Sequence, residues 1–96
     1  MNIDDAANLL KELGHPTRLR VYKQLVKSGK EGTPVGELQE KLGVPNSTLS
    51  HHLSALISVG LIRQHRVSRM LYCIPEYDLL NELMIFLTDE CCVDEK

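Results

Sequence analysis

The chain has 96 residues, three cysteines and a net charge of −2. This length suits one domain with a thin core, and no apolar run approaches the roughly 20 residues that a membrane span needs. The odd cysteine count shows no disulfide framework, and the acidic, amphipathic N-terminus is unlike a secretory signal. These features predict a single-domain cytoplasmic protein that does not enter a membrane.

The charge is unevenly distributed along the chain. Residues 1–12 carry −2 and residues 76–96 carry −6, whereas residues 13–75 carry nine basic and three acidic groups, a net charge of +6. A basic middle segment between acidic ends predicts a nucleic-acid partner, although the sequence pI is only about 6.0. The alternative is that these lysines and arginines only solvate helix surfaces.

Apolar spacing and stop signals predict four helices, a hairpin and a closing helix. Each of the first four helices ends at a glycine, and the period changes from helical to alternating after Gly60. Pro34 is expected in the first turn of the third helix, and the side chain of Asn46 or Ser47 is expected to cap the fourth. The predicted elements are helices at 4–14, 15–29, 34–43 and 44–60, strands at 61–66 and 69–74, and a last helix at 75–92.

The last predicted helix is apolar around more than half of its circumference. One neighbouring element in a chain this small would not cover such a surface, so a second copy is expected to do so. The chain is therefore predicted to form a homodimer. The apolar residues in question are Leu79, Leu80, Leu83, Met84, Phe86 and Leu87.

Two short helices joined by "GVPNS" predict a helix-turn-helix. Gly43 permits the turn, while Leu49 and Leu53 hold the second helix against the body. The opposite side carries short polar groups suited to base edges, and the helix N-terminus suits phosphate. His52 falls on the apolar side and is expected to be a structural histidine bonded to backbone, with DNA contact as its alternative role. The residues predicted to contact DNA from this helix are Asn46, Ser47, Thr48, Ser50, His51 and Ser54.

The hairpin that follows carries three arginines, Arg63, Arg66 and Arg69, with His65 nearby. Guanidinium groups on a protruding ribbon suit the DNA backbone or the minor groove. An ordinary solvated hairpin is the alternative. The hairpin directly follows the second helix of the predicted helix-turn-helix, which we call the reading helix, and this position favours a DNA-contacting wing.

The succession "LGHPTRLRVYKQL", "GELQEKLGVPNSTLSHHLSAL" and "GLIRQHRVSRMLYCI" resembles the ArsR/SmtB family of metal- and metalloid-responsive repressors. The resemblance covers nearly the whole chain. It implies a mainly α winged helix-turn-helix domain over residues 1–96, with a small β-hairpin as the wing. It also implies a homodimer, joined through its first and last helices, that binds double-stranded operator DNA without a cofactor and leaves it when an inducer binds. The hairpin turn "RVSR" departs from the family, which commonly has glycine there.

The sensing sites used within the family restrict which inducers this chain is expected to bind. The Cys-x-Cys pair and the histidine-rich last helix that some members use for metals are absent here. What remains is Cys91 and Cys92, which resemble the vicinal thiols of members that sense trivalent arsenic at the end of the last helix. The resemblance therefore implies that trivalent arsenic or antimony is the inducer.

The chemistry of paired thiols agrees with this expectation. Thiolates favour soft ions, whereas tetrahedral zinc needs four nitrogen or sulfur ligands and the tail offers two sulfurs. A disulfide between neighbours is strained, because adjacent Cα atoms lie about 3.8 Å apart and disulfides usually need about 4.4 Å or more. Flanking acids and the helix C-terminus both disfavour a reactive thiolate. Cys73 is a candidate third ligand, with a small buried hydrophobe as its alternative role.

Two further interpretations stay open. In one, the same DNA-binding protein is a thiol redox or reactive-sulfur sensor in which Cys73 pairs with a tail cysteine. In the other, the chain is a protein–protein module, which would leave the basic middle segment without a partner. An enzyme is not expected, because the four histidines form no set of nucleophile, base and orienting group.

Overall fold

The computed structural model describes all residues from Met1 to Lys96, and the predicted order of four helices, a hairpin and a closing helix is confirmed. No helix combines the length and apolar composition that crossing a bilayer requires. The elements are α1 (Ile3–Leu13), α2 (Pro16–Val26), a 3₁₀ turn (Gly29–Glu31), β1 (Thr33–Pro34), α3 (Val35–Leu42), α4 (Asn46–Ser58), β2 (Ile62–Val67), β3 (Met70–Pro75) and α5 (Tyr77–Thr88).

The sheet has three strands rather than the predicted two. The antiparallel order is β1-β3-β2, and β1 adds Thr33 opposite Cys73 and Pro34 opposite Tyr72. Pro34 stands at the start of the third helix, as expected, as the N-cap residue of α3. It also ends an edge strand, where its missing N–H leaves no ladder bond unmade. A strand of two residues has no period, which is why the sequence pattern did not reveal it.

Gly32 lets the chain pass close to β3 just before β1. Its φ is +83°, and a Cβ atom there would lie 2.6 Å from Ile74 Cγ1 and 2.7 Å from the Cys73 carbonyl oxygen. Any side chain would therefore force the 3₁₀ turn away from the sheet.

The hydrophobic core is a single cluster to which every long element contributes. Its centre is formed by α2, where Val21 and Leu25 have no exposed surface. The fully or almost fully buried leucines around them are Leu38 of α3, Leu49, Leu53 and Leu56 of α4, and Leu61 before β2. Helix α4 is thus held by its apolar side against α1, α2 and β2.

The start of α4 differs from the prediction. Its N-cap residue is Pro45, and no side chain caps the helix. Asn46 and Ser47 lie inside the first turn with exposed side chains, so the prediction that one of them caps the helix was wrong. The first two helices are capped by side chains, by Asn2 for α1 and His15 for α2.

The last helix ends at Thr88 instead of continuing to residue 92. Residues 89–94 form consecutive turns, in which Glu90 and Cys92 adopt positive φ values of 60° and 66°. The helix has no basic residue in its last turn, and the acidic residues that follow oppose its macrodipole. This sequence therefore favours termination before the cysteines.

Both terminal helices expose apolar side chains. Ala6 and Leu9 of α1 face the core, but Ile3 and Leu10 of the same helix are 70% and 43% exposed. Leu83 is the fully buried residue of α5. The exposed apolar residues of these two helices are Ile3, Leu10, Met84, Ile85 and Leu87.

The hairpin turn forms without glycine. Val67 pairs with Met70, which leaves Ser68 and Arg69 as the two central residues. Ser68 has a φ of +56° and Arg69 is not among the residues with positive φ. A positive φ at the first central residue alone is the pattern of a type II′ turn, in which glycine usually stands first. Ser68 thus stands at the turn position that glycine usually occupies.

We predict that Gly32→Ala lowers the free energy of unfolding by more than about 1 kcal/mol, because alanine is strained at this φ and meets β3. Gly36→Ala in α3 is the matched control. A Cβ atom added at Gly36 would meet nothing within 4 Å, so this change should stabilise the protein by roughly 0.5 kcal/mol. Urea unfolding at one protein concentration measures both, and equal effects would contradict the proposed close approach.

Candidate nucleic-acid interface and thiol pair

Helix α4 presents a continuous polar face to solvent. Ser47, Ser50, His51 and Ser54 are exposed and follow the spacing that places residues on one side of a helix. Asn46 is exposed at the N-terminal end of the same helix, whereas Thr48, predicted to face outward, is half-buried. Five of the six residues predicted to contact DNA from α4 are therefore accessible on one element.

The turn between α3 and α4 has the geometry that the sequence predicts. Gly43 adopts the left-handed conformation, with φ 66° and ψ 25°, and its N–H donates to the Gln39 carbonyl at 2.8 Å. This αL residue ends α3 and redirects the chain into α4. The polar face of α4 can then point outward while Leu49 and Leu53 stay buried.

His52 is buried, as predicted, but its partner is a side chain rather than backbone. It is 4% exposed, and its Nδ1 accepts a hydrogen bond of 3.2 Å from Nε of Arg18. Arg18 in turn forms a partly buried ion pair with Glu12. Burial first, and then the nearby Arg18, His15 and His51, lower the pKa of His52 below its ordinary value. His52 is therefore neutral at pH 7.

The three wing arginines do not share one surface. Successive residues of a strand point to opposite faces, so Arg63 and Arg66 of β2 lie on opposite sides of the hairpin, and Arg69 sits in its turn. Arg63 Nε is 2.7 Å from Glu76 Oε1, in an ion pair between the wing and the residue that precedes α5. Arg66 and Arg69 form no ion pair and border a groove beside α3.

Ion pairs also reduce the free charge of the basic segment. Arg18, Lys41 and Arg63 are paired, with Glu12, Glu37 and Glu76 respectively. The basic residues without an ion-pair partner are Arg20, Lys23, Lys27, Lys30, Arg66 and Arg69. A count made from the sequence treats all nine basic residues as free charges, because it does not show which of them are paired.

Cys91 and Cys92 lie together in the turns after α5. Both are exposed free thiols, and their Sγ atoms are 3.1 Å apart. Consecutive residues of a helix do not face each other, so helix termination at Thr88 is what allows the two sulfurs to meet. A hydrogen bond with Cys91 is the main cause that raises the pKa of Cys92, and Glu95 contributes to the same shift.

Cys73 occupies a different environment. It has no exposed surface, pairs with Gln64 across the sheet, and its Sγ accepts a hydrogen bond of 3.5 Å from Gln64 Nε2. Burial raises the pKa of this thiol. No group of three His, Cys, Asp or Glu side chains within the chain could hold a metal ion. Within one chain, Cys73 therefore forms no three-residue metal site with Cys91 and Cys92, and all three cysteines are free thiols.

Two ion pairs described above, Glu12–Arg18 and Glu76–Arg63, could not be predicted from a pattern in the sequence. Glu12 and Glu76 each pair with an arginine of another element, six and thirteen positions away in the chain. Helical or strand spacing does not predict such pairs, because they depend on how elements pack.

Comparisons with known proteins agree with this architecture. The helix-turn-helix domain family matches residues 13–65. The HTH-type transcriptional regulator YgaV of Escherichia coli is 37% identical over 90 residues, which cover 93% of this chain and 88% of YgaV. The crystal structure of the transcriptional repressor BigR from Xylella fastidiosa has a TM-score of 0.69 and 32% identity, covering 92% of this chain and 88% of BigR.

An ArsR-like transcriptional regulator from Rhodococcus sp. RHA1 has the same winged helix-turn-helix fold, with a TM-score of 0.76 at 22% identity, over 88% of this chain and 76% of that one. The chain belongs to the ArsR family. This assignment confirms the resemblance noted in the sequence and the winged helix-turn-helix class. As an ArsR-family member, the chain is a transcriptional regulator and not an enzyme.

We predict that Glu76→Gln strengthens DNA binding by about 1.5- to 5-fold, because it frees Arg63 from an exposed ion pair that contributes about 0.2–1 kcal/mol. The measurement is fluorescence anisotropy with a labelled duplex at fixed salt. Glu82→Gln removes one negative charge from α5 without disturbing an ion pair and is the matched control. An equal gain in both variants would mean that only net charge matters.

Proposed function

We propose that the protein is a homodimeric repressor that binds a palindromic DNA operator and dissociates from it when trivalent arsenic or antimony binds Cys91 and Cys92. The observation that carries the proposal is the 3.1 Å approach of two exposed sulfurs in a DNA-binding regulator. Three parts of the molecule support it, namely the reading helix, the apolar surface of the terminal helices and the thiol pair.

The reading helix suits the major groove. Its exposed hydroxyls and imidazole can donate to or accept from base edges, and its uncapped N-terminus leaves backbone N–H groups for phosphate. On this proposal Ser50, His51 and Ser54 read bases. Arg66 and Arg69 of the wing contact the sugar–phosphate backbone, which positions the protein without reading sequence.

The exposed apolar residues of α1 and α5 support a homodimer. Met84, Ile85 and Leu87 are between 55% and 67% exposed. Contact of these apolar side chains with water is unfavourable, and a second copy that covered them would remove this free-energy cost. A symmetric dimer places two reading helices on successive major grooves, about 34–36 Å apart, which explains why the proposed operator is palindromic.

The geometry of the thiol pair favours a three-coordinate ion. With bonds of about 2.3 Å, the length of zinc–thiolate bonds, sulfurs 3.1 Å apart subtend an angle of about 85° at the bound atom. This angle is narrower than a tetrahedral zinc site requires and suits the pyramid of trivalent arsenic. Arsenous acid exchanges two hydroxyl groups for the two sulfurs and releases two water molecules.

The third ligand comes from outside this set of residues. Cys73 is buried in β3, away from the tail of its own chain, so we favour a hydroxyl group retained by the arsenic or a small cellular thiol. The alternative of a Cys73–tail redox pair lacks support for the same reason within one chain.

For the DNA contacts, we predict that His51→Ala costs about 1–3 kcal/mol at the base pairs it reads and relaxes selectivity there. Arg66→Ala should instead weaken binding to all duplexes alike and reduce the salt slope by about 1. Lys11→Ala, on α1 outside the basic segment, is the control. Binding titrations at several salt concentrations against matched and mismatched duplexes distinguish the two roles, and identical profiles for the first two variants would contradict them.

For the inducer, we predict that arsenite weakens operator binding by about 5- to 150-fold, the range of ordinary allosteric coupling. Cys91→Ser and Cys92→Ser should each abolish the effect while leaving binding without arsenite intact. Cys73→Ser should keep the response. Anisotropy titrations of reduced protein with arsenite measure all four.

The outcomes separate the competing functions. Loss of the arsenite response in Cys73→Ser would restore Cys73 as a ligand. A reduced protein that ignores arsenite but leaves DNA after treatment with oxidant or polysulfide would contradict the metalloid proposal and support the reactive-sulfur alternative. Failure to bind DNA at low salt would contradict the proposal as a whole.

A further inference from the structure

A partly buried chain of polar contacts connects three helices behind the DNA-reading face. Glu12 at the end of α1 binds Arg18 in α2, both through its carboxylate and through its backbone carbonyl at 3.3 Å. Arg18 donates from Nε to Nδ1 of His52 in α4 at 3.2 Å. His52 is the one buried polar residue of α4, and the exposed His51 precedes it directly. The chain therefore joins the reading helix to the body by a directional contact as well as by leucines.

The hydrogen-bond directions fix the protonation state of His52. A nitrogen that accepts a bond from Arg18 carries no proton, so the ring is neutral with its proton on Nε2. The charged and titratable groups that face this ring are Arg18 and, through it, Glu12, together with two other imidazoles. The His15 ring centroid is 4.9 Å away and the His51 centroid 5.7 Å away. A second positive charge at His52 would face Arg18 and remove its acceptor.

We propose that Arg18 and His52 are positioning residues for DNA binding, and that protonation of His52 releases the reading helix and weakens operator binding in mild acid. The proposal rests on the proposed DNA binding but not on the identity of the inducer. It assigns the chain a response to protons that is separate from the thiol pair.

The sign of the effect identifies its source. His51 and His65 are exposed on the reading helix and the wing, and positive charge added to either of these elements would strengthen binding to phosphate. His52 acts in the opposite direction, because its protonated form is incompatible with the Arg18 bond. A decrease in affinity on acidification therefore points to the buried ring and not to the exposed ones.

Protonation is also linked to stability in a defined window. Burial lowers the pKa of His52 in the folded state, so below the ordinary value of 6.5 the unfolded chain binds more protons than the folded one. The stability contributed by the neutral ring is present above pH 6.5 and is lost as the pH falls through the lowered pKa. The reading helix should thus loosen only below pH 6.5.

The test compares the wild-type protein with His52→Asn, whose amide oxygen can accept from Arg18 at the place of Nδ1 and does not titrate. The probe is a duplex selected from random sequence at about pH 7.5. We expect wild-type affinity, relative to this variant, to fall as the pH is lowered from roughly 7.5 to 5.5. The fall should stay below about tenfold, because the lowered pKa of His52 leaves part of the rings neutral at the acidic end. The control His65→Asn should fall at least as steeply as the wild type, and a profile as flat in the wild type as in His52→Asn would overturn the proposal.

A measurement on the DNA-free wild-type protein tests the inference without an operator and without relying on the folding of a variant. In NMR spectra of the wild type, the Arg18 Nε–H signal should be protected from exchange above pH 6.5 and lost as His52 titrates. An Arg18 signal that does not respond while His52 gains its proton would refute the positioning role. Absence of DNA binding with a responsive Arg18 signal would instead locate the failure in the proposed function.

Discussion

The structure depends on how α4 is held. This helix must bury one side to stay in place and leave the other side polar and accessible. Its leucines are buried, and the helix packs against α1, α2 and β2. The αL conformation of Gly43 sets its direction, and the bond from Arg18 to His52 adds a directional contact at the same buried side. A hydrophobic surface alone permits sliding and rotation, whereas a hydrogen bond with fixed geometry does not. The contacts on the buried side of α4 therefore determine the direction in which its polar face points.

Helix α5 connects the parts that regulation has to couple. Its first turn follows Glu76, which binds Arg63 of the wing, and its last turn leads into the two thiols. Over 12 residues it extends about 18 Å, and its exposed apolar side is the surface proposed for the second subunit. A displacement of α5 at the proposed dimer interface would move the wing ion pair and change the distance between the reading helices. The proposed inducer site thus follows directly after a helix whose N-cap residue, Glu76, binds the wing.

The sequence predicted the fold and most of the reading face, because those rest on local patterns. Helical spacing, the glycine at the turn and the run of serines around His51 are visible without coordinates. Three features were not: the two-residue strand β1, the end of α5 at Thr88, and the ion pairs of Arg18 and Arg63. A short strand has no period, and pairs between elements depend on tertiary packing. Counting charges therefore overstated the free basic surface.

The early end of α5 has a chemical consequence for sensing. Had the helix continued, adjacent cysteines would have pointed in different directions; the turns with positive φ at Glu90 and Cys92 place the sulfurs 3.1 Å apart. The raised pKa of Cys92 keeps its thiol protonated at neutral pH, which disfavours attack on oxidants. On the proposed function, arsenous acid is neutral and supplies hydroxyl groups that leave as water with the thiol protons. The protonated Cys92 thiol would therefore favour a ligand that brings its own proton acceptor.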